Sequence, residues 1–134
     1  MVDTNISGKT MRAFLQITGF MIAALVVVPA SAAIKVVSTL PDYGALVQAL
    51  GGEHVTVRVL ASPSEDPHFV DAKPSFIVAL NRADLLIATG LEQEIGWLPN
   101  LIVQSRNPGI QSGQSGHLEM GAHVKRLLDI PTGS

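Results

Sequence analysis

Asp84-Leu85-Leu86-Ile87-Ala88 is a nearly continuous apolar run, the pattern of a strand covered on both faces. Gly90 ends it. Upstream, Pro74 stands where a first helical turn tolerates proline. Phe76, Ile77 and Leu80 then give that helix an inner face. Downstream, Trp97, Leu98, Leu101 and Ile102 pair at i, i+4 as a second helix. Pro99 must lie in that helix's first turn or kink it. A buried strand between two helices is the repeating unit of an α/β protein.

The same alternation extends outward. Ile34-Lys35-Val36-Val37-Ser38 is short, β-branched and mostly apolar, as expected of a buried strand. Pro41-Asp42 follows, with Asp42 placed to cap a helix. Tyr43, Leu46, Val47 and Leu50 fall at i, i+3, i+4 and i+7, an amphipathic stripe. Gly51-Gly52 stops that helix, one glycine serving as the left-handed cap. From His54 to Leu60, Val55, Val57 and Val59 alternate with His54, Thr56 and Arg58, which predicts a half-exposed strand with His54 facing solvent. Asn107-Pro108-Gly109 is a turn. Gln111 to Gly116 is a polar loop, and His123 to Ile130 forms one more short element. His117 and His123 are expected to be surface histidines.

Strand, helix, strand, loop, helix, strand, helix predicts a small layered α/β unit with a mainly parallel sheet. In such sheets ligands bind beyond the strand carboxyl ends. Ser38-Thr39, the Leu60–Asp71 loop and Thr89-Gly90-Leu91-Glu92 should share that edge.

The 134 residues suffice for one domain. A net charge of −2 with no basic cluster argues against a nucleic-acid partner. The absence of cysteine excludes disulfides, thiolate metal sites and the cysteine to which a lipid anchor would attach. Residues 1–33 have the pattern of a signal peptide. Lys9 and Arg12 are positive, Ala13 to Val28 is apolar, and Ala30-Ser31-Ala32 offers small residues to a signal peptidase. Met11 is a plausible start. Cleavage near Ala32 or Ala33 leaves an exported chain, 34–134, without a membrane anchor.

Chemistry concentrates in Glu65-Asp66-Pro67-His68-Phe69-Val70-Asp71-Ala72-Lys73-Pro74-Ser75. Pro67 fixes its own φ and pushes Asp66 toward extended geometry, so the backbone entering His68 has little freedom. Glu65, Asp66 and Asp71 supply carboxylates able to orient the ring. A fixed neutral imidazole suits a transition-metal ion. A merely exposed surface histidine is the other reading of the same stretch.

Taken together, these segments resemble the N-terminal lobe of the zinc/manganese periplasmic binding proteins of ABC transporters. The resemblance runs from Ile34 to Ile130. It rests on Ser38-Thr39-Leu40-Pro41-Asp42-Tyr43, on Asp66-Pro67-His68 running into Ala72-Lys73-Pro74-Ser75, and on Ala83-Asp84-Leu85-Leu86-Ile87 leading to Gly90-Leu91-Glu92 and Trp97. It implies two α/β lobes joined by a long helix, with the metal between them and His68 as its first ligand. It also implies an inner-membrane permease as partner, a divalent ion (zinc or manganese) as cargo, and a periplasmic location. The family's later ligand motifs, a second Pro-His motif among them, do not occur here. The expectation is therefore a truncated chain holding one ligand of about four.

Two other readings stand beside metal capture. One is an exported α/β enzyme using His68 with a neighbouring carboxylate as an acid–base pair. No nucleophile elbow, Walker loop or Gly-x-Gly-x-x-Gly supports it. The other is a gene remnant without function.

Overall fold

Ile34–Ser38 forms strand β1, Val55–Val59 β2, Leu85–Ala88 β3 and His117–Glu119 β4. A computed structural model describes residues 32–125 of the chain. The helices are α1 (Pro41–Gly51), α2 (Pro74–Asn81) and α3 (Leu98–Ser105), each with proline in its first turn. Proline's fixed φ and missing N–H are harmless there. All four strands are parallel, in the order β2-β1-β3-β4. The mainly parallel α/β sheet expected from the sequence is what forms. The leader expected over 1–33 lies, apart from Ala32 and Ala33, outside the described residues, as does 126–130 of the last expected element. Among the described residues no helix is long and apolar enough to cross a membrane.

Register and alternation separate the two faces. Val36 pairs with Val57 and with Leu85, so β1 lies inside the sheet. Side chains alternate along a strand, which puts Val36, Val57 and Val59 on one face and Val37, Leu86 and Ala88 on the other. α1 covers the first face, because a Cβ added to its Gly44 would meet Val59 and Val57. The second face carries the main core, where Val37, Leu86 and Ala88 join Phe76, Leu80, Leu98, Leu101 and Ile102. Leu80, Leu86 and Ile110 are wholly buried. Strand β3 is thus covered on both sides, as its apolar run requires.

Three local expectations are corrected. Asp42 does not cap α1. The helix begins at Pro41 with Leu40 in the cap position, because the proline belongs in the first turn. Asp42 instead sits within that turn, where its charge favours the positive end of the helix dipole. The stripe Tyr43, Leu46, Val47, Leu50 is packed only in part, with Tyr43 and Val47 half-buried on a face centred at Gly44. Leu46 is 50% and Leu50 80% exposed, whereas Gly44 is buried. Lacking a side chain at Gly44 and Gly51, the helix settles close over the valines of β2. A Cβ would lie 2.6 Å from Val59 at Gly44, and 2.6 Å from a Val55 methyl at Gly51. Close backbone approach outweighs the burial that the leucine stripe would have gained.

The third correction is β4. Its three residues are too short to show a period in the sequence. They form a strand because the chain is held at Gly116, whose carbonyl accepts from Leu86 N–H at 2.8 Å and whose N–H donates to Gly109 O at 3.1 Å. Asn107 builds the turn before it. Its Nδ2 donates to Leu80 O and Ala83 O, and its Oδ1 accepts from Gly109 N–H. Gly52 ends α1 with φ +52°, the positive value that favours glycine.

A candidate metal site at the sheet edge

From β1 the chain crosses to β2 on one side and then returns to β3 on the other. The strand order therefore reverses between β1 and β3, where doubly wound sheets place ligands. The predicted edge assembles there. Leu60 N–H donates to Ser38 O and Ala61 N–H to Thr39 O, both at 3.0 Å, while Thr39 N–H donates to Ile87 O at 2.9 Å. Three segments distant in sequence are thereby tied by backbone bonds alone.

Glu94 closes the junction. It is 3% exposed. Its Oε1 accepts from Thr39 Oγ1 at 2.7 Å and from Thr89 N–H at 2.8 Å, and its Oε2 accepts from Gly90 N–H at 3.1 Å. The side chain reaches back because Leu91 and Glu92 take positive φ, 53° and 68°, a conformation unfavourable for residues other than glycine. Sequence reasoning took Glu92 into the edge and missed Glu94. No pattern separates the two; only the left-handed turn does. Glu92 is exposed instead.

The same segment fixes the His68 loop. Trp97, 5% exposed, donates its Nε1–H to Pro67 O at 2.9 Å. Gly96 passes His68 O closely enough that an added Cβ would lie 3.4 Å away. Within the loop, Asp66 Oδ1 accepts from His68 backbone N–H and lies within hydrogen-bond distance of Nδ1, both at 2.9 Å. A carboxylate only accepts, so the ring proton is on Nδ1 and Nε2 is left as the free donor atom. The His68 backbone N–H, then its ring, holds the Asp66 carboxyl below the ordinary carboxylate range.

The expected trio of carboxylates around His68 reduces to one. Asp66 contacts it. Glu65 turns into its own loop and accepts from Ser62 N–H at 2.6 Å. Asp71 is exposed. The His68 side chain is itself 58% exposed, with Phe69 beside it. Among the described residues no group of three or more His, Asp or Glu could hold a metal ion. What the loop offers is one imidazole oriented by a carboxylate, the arrangement that fixes the tautomer of metal-ligating histidines.

The two terminal histidines part company. His123 is exposed, its Nδ1 3.1 Å from Glu119 O. His117 is not a surface residue. Its side chain is 5% exposed, lying on β4 with the sheet beneath it, and among the described residues neither ring nitrogen has a hydrogen-bond partner. His54 is exposed, ending the short turn before β2.

With this geometry in place, the likeness to known proteins is specific. A crystal structure of ZnuA aligns at 31% identity and a TM-score of 0.51, over 56% of this chain and 29% of that one. A deletion mutant of ZnuA with zinc bound aligns at 31% and 0.52 over the same shares, 56% and 29%. The periplasmic zinc binding protein TroA from Treponema pallidum shares the fold at 22% identity and a TM-score of 0.53, over 68% of this chain and 30% of that one. A Thermotoga maritima protein whose name describes it as metal-binding is 37% identical over 59 residues, 44% of this chain and 22% of its own length. The chain thus spans less than a third of each relative's length. The matching family is a component of an uptake complex, not an enzyme family. Residues 36–126 match the family described as zinc-uptake complex component A, periplasmic, and the chain belongs to it.

Proposed function

We propose that this chain forms the N-terminal metal-binding lobe of an exported solute-binding protein that captures a divalent transition metal, zinc or manganese, and presents it to an ABC-type permease. His68 is the ligand it contributes, through Nε2. The observation that carries this reading is the His68 loop itself, with Nδ1 held by Asp66 at 2.9 Å and Pro67 O held by Trp97 at 2.9 Å. A ring with one nitrogen engaged and the loop backbone pinned loses little freedom on binding an ion. The family's description as periplasmic supports export, with residues 1–33 as the leader and 34–134 as the lobe.

One imidazole with water makes an open site, since zinc commonly takes three or four protein ligands. The remaining ligands would come from a second lobe, with the metal between the two. Zinc titration of the full chain by calorimetry tests the assignment. Weak binding is expected, and His68→Ala should remove most of it. If tight one-to-one binding survived His68→Ala, His68 would not be the ligand.

A further inference from the structure

An open cleft of about 400 Å³ lies between α3 and β4, with no residue of the His68 loop in its lining. Its walls are aliphatic, with Leu91, Ile95, Leu98, Ile102 and Val103 contributing. His117 lines it as well. That imidazole is 95% buried by its 5% exposure, yet among the described residues both ring nitrogens lack a hydrogen-bond partner. An unpaired buried polar group costs about 1–3 kcal/mol, so it is rarely left without a reason. Glu119 stands two residues along the strand and so on the same face. Its Oε1 is 3.7 Å from His117 Nε2, too far for a hydrogen bond. Two acceptor atoms at that separation can share one donor group placed between them.

Charge chooses the ligand. Glu92, Glu94 and Glu119 line the cleft, and among the described residues no Lys or Arg does. Glu94 is already engaged by Thr39, Thr89 and Gly90, which leaves Glu92 and Glu119, and of these it is Glu119, 46% exposed, that stands beside the His117 ring. A carboxylate or phosphate would meet only like charge. A bare ion would leave the aliphatic walls and most of the volume unused.

We infer that the cleft between α3 and β4 binds a small primary ammonium ligand with an aliphatic body, its head held by His117 Nε2 and the Glu119 carboxylate. The body lies against Leu98, Ile102 and Ile95, and the ammonium donates to both acceptors. This site is independent of the His68 reading and stands or falls without it.

The test is NMR of the full chain, following the His117 ring signals while hexylamine is added at neutral pH, where it is protonated. The His117 signals should shift and saturate, and His68 signals should stay still. Glu119→Gln should weaken binding about tenfold, the loss of one charge-assisted hydrogen bond. His117→Phe, which keeps the wall apolar, should weaken it comparably. Hexanoate, with the same body and opposite charge, should not bind. Hexanoate binding as well as hexylamine would overturn the proposal. So would saturation of the His117 signals by one equivalent of zinc alone, or unchanged hexylamine affinity in both variants.

Discussion

At the residue scale, one buried carboxylate and one indole hold the edge of the sheet. Glu94 accepts from three donors on two strand ends. In Glu94→Gln an amide N–H₂ must face at least one of those donors, leaving both unpaired. The expected loss is about 1–3 kcal/mol, read from urea denaturation with an unchanged m-value. Trp97 acts differently. Trp97→Phe keeps an aromatic ring in the core but removes the bond to Pro67 O. Amide exchange at His68 and Phe69 should accelerate, while global stability falls by about 1 kcal/mol. Equal acceleration throughout the chain would mean that the indole serves the core and not the loop. That the backbone entering His68 is held was legible, because Pro67 precedes it and Asp66 lies within reach of its ring. Glu94 was not, since its role depends on a left-handed turn at Leu91 and Glu92.

At the scale of elements, strands β1, β2 and β3 and helices α2 and α3 follow from apolar period and proline position. The alternation at Val55, Val57 and Val59 correctly marked a strand with one wet face, since Thr56 and Arg58 are exposed. Two things escaped. Strand β4 is three residues long and owes its existence to its neighbour. The orientation of α1 is decided by the absence of atoms at Gly44 and Gly51, which a tally of apolar side chains cannot register. Gly44→Val tests this. The new branches must displace Val59, and such overpacking costs about 1–3 kcal/mol. Leu50→Gln, at a site 80% exposed, should change stability by no more than about 0.5 kcal/mol. If Leu50→Gln proved the costlier, the stripe would after all be the packed face.

At the scale of the molecule, apolar side chains remain in contact with water on several surfaces. Leu46, Leu50, Ile95 and Val103 are at least half exposed, on a lobe that spans less than a third of each relative's length. At roughly 25 cal/mol per Å² of apolar area, covering such surface is a sizeable fraction of a stability of about 5–15 kcal/mol. The chain should self-associate with rising concentration in sedimentation velocity, and Leu50→Ser with Val103→Ser should reduce it. A strictly monomeric chain melting sharply above about 65 °C would contradict this. The Glu94 junction has a wider meaning for the same molecule. Sheets of this topology commonly hold phosphate at the switch point, using backbone N–H groups that point out of the strand ends. Here the amides of Thr89 and Gly90 already face a carboxylate belonging to the protein. A phosphate arriving at this crevice would find the amides of Thr89 and Gly90 already taken by the protein's own side chain.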